Sequence, residues 1–208
     1  MARSYHLAVV LVAAAAGAVA LAPPARAAAA GTAQVSGNQV QFSAGAGTVN
    51  DVVVTRSGRT VTVDDRVAVT AGPGCAPVEG DATIAVCTLK RKPASVVVYT
   101  GDRDDTVVNR TAIPAQIDGG DGDDRLTGGG GGDFIGGGAG ADLIAGRGGD
   151  DDLLGGGGDD TLRGQAGDDR LSGQDGNDTL RGGAGVDELD GGPLVDRCVA
   201  ESVVECEF

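Results

Sequence analysis

The chain has 208 residues, 38 of them glycine, with no Trp, 2% aromatics and a formal net charge of −14 from 16 Lys and Arg against 30 Asp and Glu. So few rings cannot supply the core of a protein this long, because aromatic side chains normally bury the most area per residue. The acidic balance excludes a nucleic-acid reader, which needs a basic face, and points to cations as partners. An apolar fraction of 41% sets the chain apart from disordered sequences.

Residues 1–27 read as a secretory signal peptide. Arg3 precedes the apolar run Leu7–Leu21, and Pro23 and Pro24 precede Ala25-Arg26-Ala27, an A-x-A cleavage site. The run falls short of the roughly 20 residues that span a bilayer, so a secreted protein without a membrane span is expected. Cleavage would remove His6, the only histidine, and leave 14 basic residues against 30 acidic ones. Without histidine there is no Ser-His-Asp or Cys-His catalysis and no H-E-x-x-H zinc site. A non-enzyme is therefore expected. The alternative is a secreted hydrolase whose catalytic site, built on paired carboxylates, lies in residues 31–118.

Cys75, Cys87, Cys198 and Cys206 suit an exported, oxidised protein. Four cysteines allow three pairings, and the local ones, Cys75–Cys87 and Cys198–Cys206, are expected. Zinc is the alternative, but neither pair has C-x-x-C spacing.

Residues 28–100 are expected to form a small β-rich domain. Val- and Thr-rich stretches at Gln34–Phe42, Asp51–Thr55, Thr60–Val63, Val67–Thr70, Thr83–Leu89 and Val96–Thr100 read as strands. Turns such as Ser36-Gly37-Asn38 and Arg56-Ser57-Gly58-Arg59 punctuate them. No motif here carries recognisable chemistry. Residues 101–118 read as an irregular first coil joining this domain to the glycine-rich region beyond it.

From Gly119 to Val199 the sequence is a nine-residue repeat without insertion or deletion: GGDGDDRLT, GGGGGDFIG, GGAGADLIA, GRGGDDDLL, GGGGDDTLR, GQAGDDRLS, GQDGNDTLR, GGAGVDELD and GGPLVDRCV. Position one is always Gly and position six always Asp, from Asp124 to Asp196. Position eight is Leu or Ile from Leu126 to Leu189, then Cys198. Glycine frees the chain for positive φ, which lets several carbonyls gather around one point. Ca²⁺ takes 6–8 such hard oxygen ligands. Position eight points inward as a narrow aliphatic ladder, while positions seven and nine face out.

The pattern G-G-x-G-x-D-x-U-x resembles the hemolysin-type (RTX) calcium-binding nonapeptide repeat of secreted bacterial proteins. That resemblance implies an all-β fold ending in a right-handed parallel β-roll (a β-helix solenoid), each unit a six-residue turn and a three-residue strand. It places Ca²⁺ between turns stacked on the same edge. The implied metal-site residues are Gly119, Gly120, Gly122 and Asp124; Gly128, Gly131 and Asp133; Gly137, Gly140 and Asp142; Gly146, Gly149 and Asp151; Gly155, Gly158 and Asp160; Gly164, Gly167 and Asp169; Gly173, Gly176 and Asp178; and Gly182, Gly185 and Asp187. Nine turns on two edges leave seven gaps, hence up to about seven Ca²⁺ ions. Gly132, Ala141, Val186 and Val195 replace the usual Asp or Asn at position five, so the second, third, eighth and ninth units are expected to bind less well. The ninth, with Leu194 in place of Gly, reads as a terminal cap, followed by a disulfide-linked tail over residues 200–208.

Residues 119–190 hold 17 acidic side chains against five arginines. Stacked carboxylates repel, so metal binding is expected to supply folding free energy. The expected function is that of an extracellular calcium-binding repeat protein, structural, surface-associated or adhesive; a soluble Ca²⁺ buffer without a partner is the other reading.

Overall fold

The structure is a computed structural model that describes residues 30–199 and 204–205. The expected signal peptide and most of the tail, Cys206 included, lie outside the described residues. Among the described residues twenty strands succeed one another in chain order. The first group is β1 (Gly31–Ser36), β2 (Gln39–Ser43), β3 (Asp51–Ser57), β4 (Thr60–Asp64), β5 (Val69–Ala71), β6 (Cys75–Val78) and β7 (Asp81–Thr88). The coils comprise β8 (Ser95–Asp102), β9 (Thr106–Asn109), β10 (Ala115–Asp121), β11 (Arg125–Thr127), β12 (Phe134–Ala139), β13 (Leu143–Gly148), β14 (Asp152–Gly157), β15 (Thr161–Ala166), β16 (Arg170–Asp175), β17 (Thr179–Ala184), β18 (Glu188–Asp190), β19 (Arg197–Val199) and β20 (Val204–Glu205).

From β8 onward successive strands alternate between two sheets and pair in parallel with the strand one coil earlier. One sheet runs β20-β18-β16-β14-β12-β10-β8-β2-β1-β5 and the other β19-β17-β15-β13-β11-β9-β3-β4-β7-β6. The register is set by the nonapeptide: Leu126 pairs with Ile144, Ile144 with Leu162, and Leu162 with Leu180. A one-residue slip would turn this whole set outward. Leu126, Ile135, Ile144, Leu153, Leu162, Leu171, Leu180 and Leu189 are all buried and form the aliphatic ladder between the sheets. The described residues hold strands, turns, bends and irregular segments, and no helix among them is long and apolar enough to cross a membrane.

β11, β18 and β19 have the three residues expected, whereas β12 to β17 have six. In the central units pairing continues past position nine, skips the position-one glycine, and resumes at positions two and three, as in Gly138↔Gly156 and Ala139↔Gly157. Residues 101–118, expected as an irregular first coil, form a coil whose strands are regular: β9 and the start of β10 pair in parallel register, Leu126↔Val107 and Ile117↔Val98. The β-rich stretch before them continues both sheets rather than packing apart: β2 pairs with β8 and β3 with β9, both parallel. Its core, with Phe42, Val52, Val54, Val61 and Val63, merges with the coil ladder.

Gln34–Phe42 is a hairpin, not one strand, because Gly37 at φ 62° turns the chain so that Val35 meets Val40. The Cys75–Cys87 disulfide ties β6 to β7, which pair antiparallel. Cys198 is disulfide-bonded too, and its expected partner lies outside the described residues.

Candidate metal centre

Each coil takes two nonapeptides, so equivalent turns stack 18 residues apart along two edges of the solenoid. On one edge the turns end at Asp124, Asp142, Asp160, Asp178 and Asp196; on the other at Asp133, Asp151, Asp169 and Asp187. Every one of these carboxyls is buried. Oδ1 of each later one accepts the backbone N–H of its counterpart one coil earlier: Asp124 donates to Asp142 at 2.8 Å, Asp142 to Asp160 at 2.7 Å, and Asp160 to Asp178 at 2.8 Å. The second edge repeats this from Asp133 to Asp151 at 2.8 Å and from Asp151 to Asp169 at 2.9 Å.

The other oxygen, Oδ2, is left over. In Asp124, Asp142, Asp151, Asp160, Asp169, Asp178, Asp187 and Asp196 it is buried with no hydrogen-bond partner. A buried, unpaired carboxylate oxygen costs free energy unless a cation or proton meets it. Burial, reinforced by neighbouring aspartates, pushes the carboxyls of Asp124, Asp151 and Asp160 up to about 7 from an ordinary 3.8. Burial raises Asp142, Asp169 and Asp178 as well.

Glycine surrounds these oxygens for a steric reason. A Cβ on Gly137 would collide with Oδ2 of Asp142 and lie 2.6 Å from the carbonyl oxygen of Gly155. At position two Gly138 has φ 116°, and a Cβ there would strike the carbonyl of Gly120. At position four a Cβ on Gly140 or Gly158 would strike the carbonyl of the equivalent glycine one coil back. Backbone carbonyls of positions two and four therefore point from each turn toward the next.

Position five forms a second, exposed ladder running the opposite way. Oδ1 of Asp123 accepts from Ala141 N–H at 2.8 Å, Asp150 from Asp168 at 3.0 Å, Asp159 from Asn177 at 2.9 Å, and Asp168 from Val186 at 2.8 Å. The backbone and side-chain N–H donors of Asn177 hold the Asp159 carboxyl below its ordinary value. Each gap is thus bracketed by a position-six carboxylate reaching back and a position-five residue reaching forward. This changes which gaps are poor in charge. The position-five acid of a gap belongs to its earlier turn, so Val186 does not weaken the gap before it. Gly132, Ala141 and Asn177 leave the gaps after them without a position-five carboxylate.

The second unit departs furthest. Neither Gly129 nor Gly131 shows the positive φ of its counterparts, and Oδ2 of Asp133 is taken by the N–H of Gly129 at 2.6 Å. The sequence placed Gly128, Gly131 and Asp133 among the metal residues; here the carboxylate is engaged by its own turn.

Two acids of the expected first coil, Asp104 and Asp105, which the sequence left outside the metal set, join the edge. Asp105 N–H donates to Oδ1 of Asp124 at 2.7 Å, and Asp123 N–H to Oδ1 of Asp104 at 3.0 Å. Asp105 is buried with Oδ2 unpartnered, and burial pushes it up to about 6. Asn50 N–H continues the ladder to Asp105 at 2.6 Å, and Asp65 ends it by accepting from Asp51 N–H at 2.8 Å. The signal was present in Thr100-Gly101-Asp102-Arg103-Asp104-Asp105, a turn with Arg103 where the repeat has glycine.

The donor set fits calcium. It consists of carboxylate and carbonyl oxygens, the hard ligands that this ion takes. Residues 116–135, 132–162 and 163–196 match the family model described as RTX calcium-binding nonapeptide repeat (4 copies). These coils are RTX calcium-binding repeats. No curated protein and no solved structure matches the chain. The RTX coils over residues 116–196, with their rows of buried aspartates, support a calcium-binding structural repeat protein.

Proposed function

We propose that this protein is a secreted, non-catalytic scaffold whose RTX coils fold as Ca²⁺ enters the gaps between turns. The observation that carries this is the row of buried Oδ2 atoms without partners, present in every repeat unit except the second. A bound divalent cation supplies the charge that these oxygens lack, and metal binding then becomes folding free energy. Five gaps carry both carboxylates and form the tight class: those after the turns of Asp104, Asp123, Asp150, Asp159 and Asp168. The gaps after Gly132, Ala141 and Asn177 form a weaker class. The absence of histidine from residues 28–208 supports a non-enzymatic role, and the signal-like residues 1–27 support export. A structural or adhesive role at a surface suits a rigid solenoid that exists only where calcium is plentiful.

Far-UV circular dichroism of the chain from residue 28 tests the coupling. In EDTA at neutral pH the β signal of the coils falls, and excess Ca²⁺ restores it where Mg²⁺ does not. An identical spectrum in EDTA and Ca²⁺ would overturn the proposal.

A further inference from the structure

The two outer faces of the solenoid differ in a way that calcium does not explain. On the sheet of β14, β16 and β18 the charges alternate and pair: Arg170 lies 3.7 Å from Asp152 and 3.3 Å from Glu188. On the opposite sheet, positions seven and nine of β9, β11, β13, β15, β17 and β19 carry no Asp or Glu at all. They carry Arg125, Arg163, Arg181 and Arg197, all exposed. None of the four makes an ion pair among the described residues. Arg163 and Arg181 stand directly opposite each other on paired strands, and Thr179 is paired with Arg197. Like charges in register are destabilising, and this chain has acids to spare, yet none is placed here. With rungs about 4.8 Å apart, Arg163 and Arg181 form a stripe along the solenoid axis over two successive rungs, and Arg197, paired with Thr179, extends it onto the third rung two residues to the side.

We propose that this face is a docking surface for an anionic polysaccharide. Charge complementarity selects a polyanion, and guanidinium forks bind carboxylate or sulfate with two parallel hydrogen bonds. The threonines beside them, Thr161 and Thr179, offer hydroxyls to sugar hydroxyls. A nucleic acid fits less well. The face has no aromatic platform for bases. A second copy of the chain fits less well too, because Arg170 on the opposite face already pairs with the acids beside it. Calcium neutralises the edges and fixes the rungs, so the stripe is assembled only in the calcium-loaded form. The docking therefore rests on the calcium-coupled folding proposed above.

The test is a calorimetric titration of calcium-loaded protein with chondroitin sulfate chains, with neutral dextran as control. Wild type binds chondroitin sulfate, not dextran, and binding weakens about tenfold between roughly 50 and 200 mM salt. The triple variant R163Q/R181Q/R197Q loses about tenfold or more in affinity, as does R181Q in smaller measure. K90Q/R91Q/K92Q, with the same change in net charge elsewhere, keeps wild-type affinity. Circular dichroism in EDTA and Ca²⁺ on the same samples separates the two proposals: a normal calcium response without chondroitin sulfate binding overturns the docking surface alone. Equal binding by the triple variant, equal loss in the Lys90–Lys92 control, or tighter binding of single-stranded polynucleotide also overturns it.

Discussion

The backbone N–H of Asp142 donates to Oδ1 of Asp160, 2.7 Å away and one coil further on, while Oδ2 of that carboxyl is buried with no partner. One oxygen of the side chain therefore serves the backbone stack, and the other is left for a cation. The two roles can be separated by substitution. Asp160→Asn keeps an acceptor for Asp142 and removes the charge. In EDTA this variant is as stable as wild type or more so, because a buried unpaired charge is gone. In Ca²⁺ it is less stable by about 1–3 kcal/mol, the cost of a lost charged ligand. Urea unfolding in the two conditions reads the crossing, and equal effects in both would contradict the division of roles.

Glycines two residues apart in β12 should differ sharply. A Cβ on Gly136 meets nothing within 4 Å, whereas one on Gly138, at φ 116°, collides with the carbonyl of Gly120. Gly136→Ala leaves stability unchanged or raises it by about 0.4–1 kcal/mol. Gly138→Ala lowers it by about 3 kcal/mol or more, since both strain and collision act. Thermal melts in Ca²⁺ rank the pair.

Without calcium, acid should help folding. Asp124, Asp151 and Asp160 hold protons up to about 7 in the folded chain but release them near 3.8 when unfolded. The folded state therefore binds more protons in that window, and stability falls as pH rises through it. In EDTA the β signal of the coils is greater at about pH 5 than at about pH 8. In excess Ca²⁺ the order reverses, because protons then compete with the metal. A pH-independent spectrum in EDTA would contradict the buried, unpaired state of these carboxyls.

The Cys75–Cys87 bond lies in the sheet extension, far from the turns that bind metal. The pair closes a short loop, 12 residues apart in sequence, and its removal in C75S/C87S costs roughly 3 kcal/mol. Urea unfolding falls by that amount while calcium stoichiometry is unchanged. A loss of calcium sites in this variant would mean that the extension and the distal turns act as one unit.

The repeat was legible because three positions per unit carry separate constraints: glycine at one for the close approach of Asp, Asp at six for the interturn bond, and Leu or Ile at eight for the core. A departure at one position leaves the others to hold the phase. The coil before it was harder to see. Arg103 occupies a position-four conformation at φ 81° that glycine normally fills, and one extra residue makes Asp105 and Asp124 19 apart. Nor does a period show that two carboxylates reach into a gap from opposite sides, so the charge-poor gaps could not be told from the poor units. The joining of β2 to β8 and β3 to β9 is a contact between distant strands with no local pattern to announce it.

Calcium titration of the chain from residue 28 by isothermal calorimetry tests the central claim most directly. The account predicts two classes of site, the tight one with a stoichiometry near five, and the loss of one tight site in Asp104→Asn, which lies before the repeat. Absence of calcium binding would contradict it. So would a single class of seven sites unaffected by the change at Asp104.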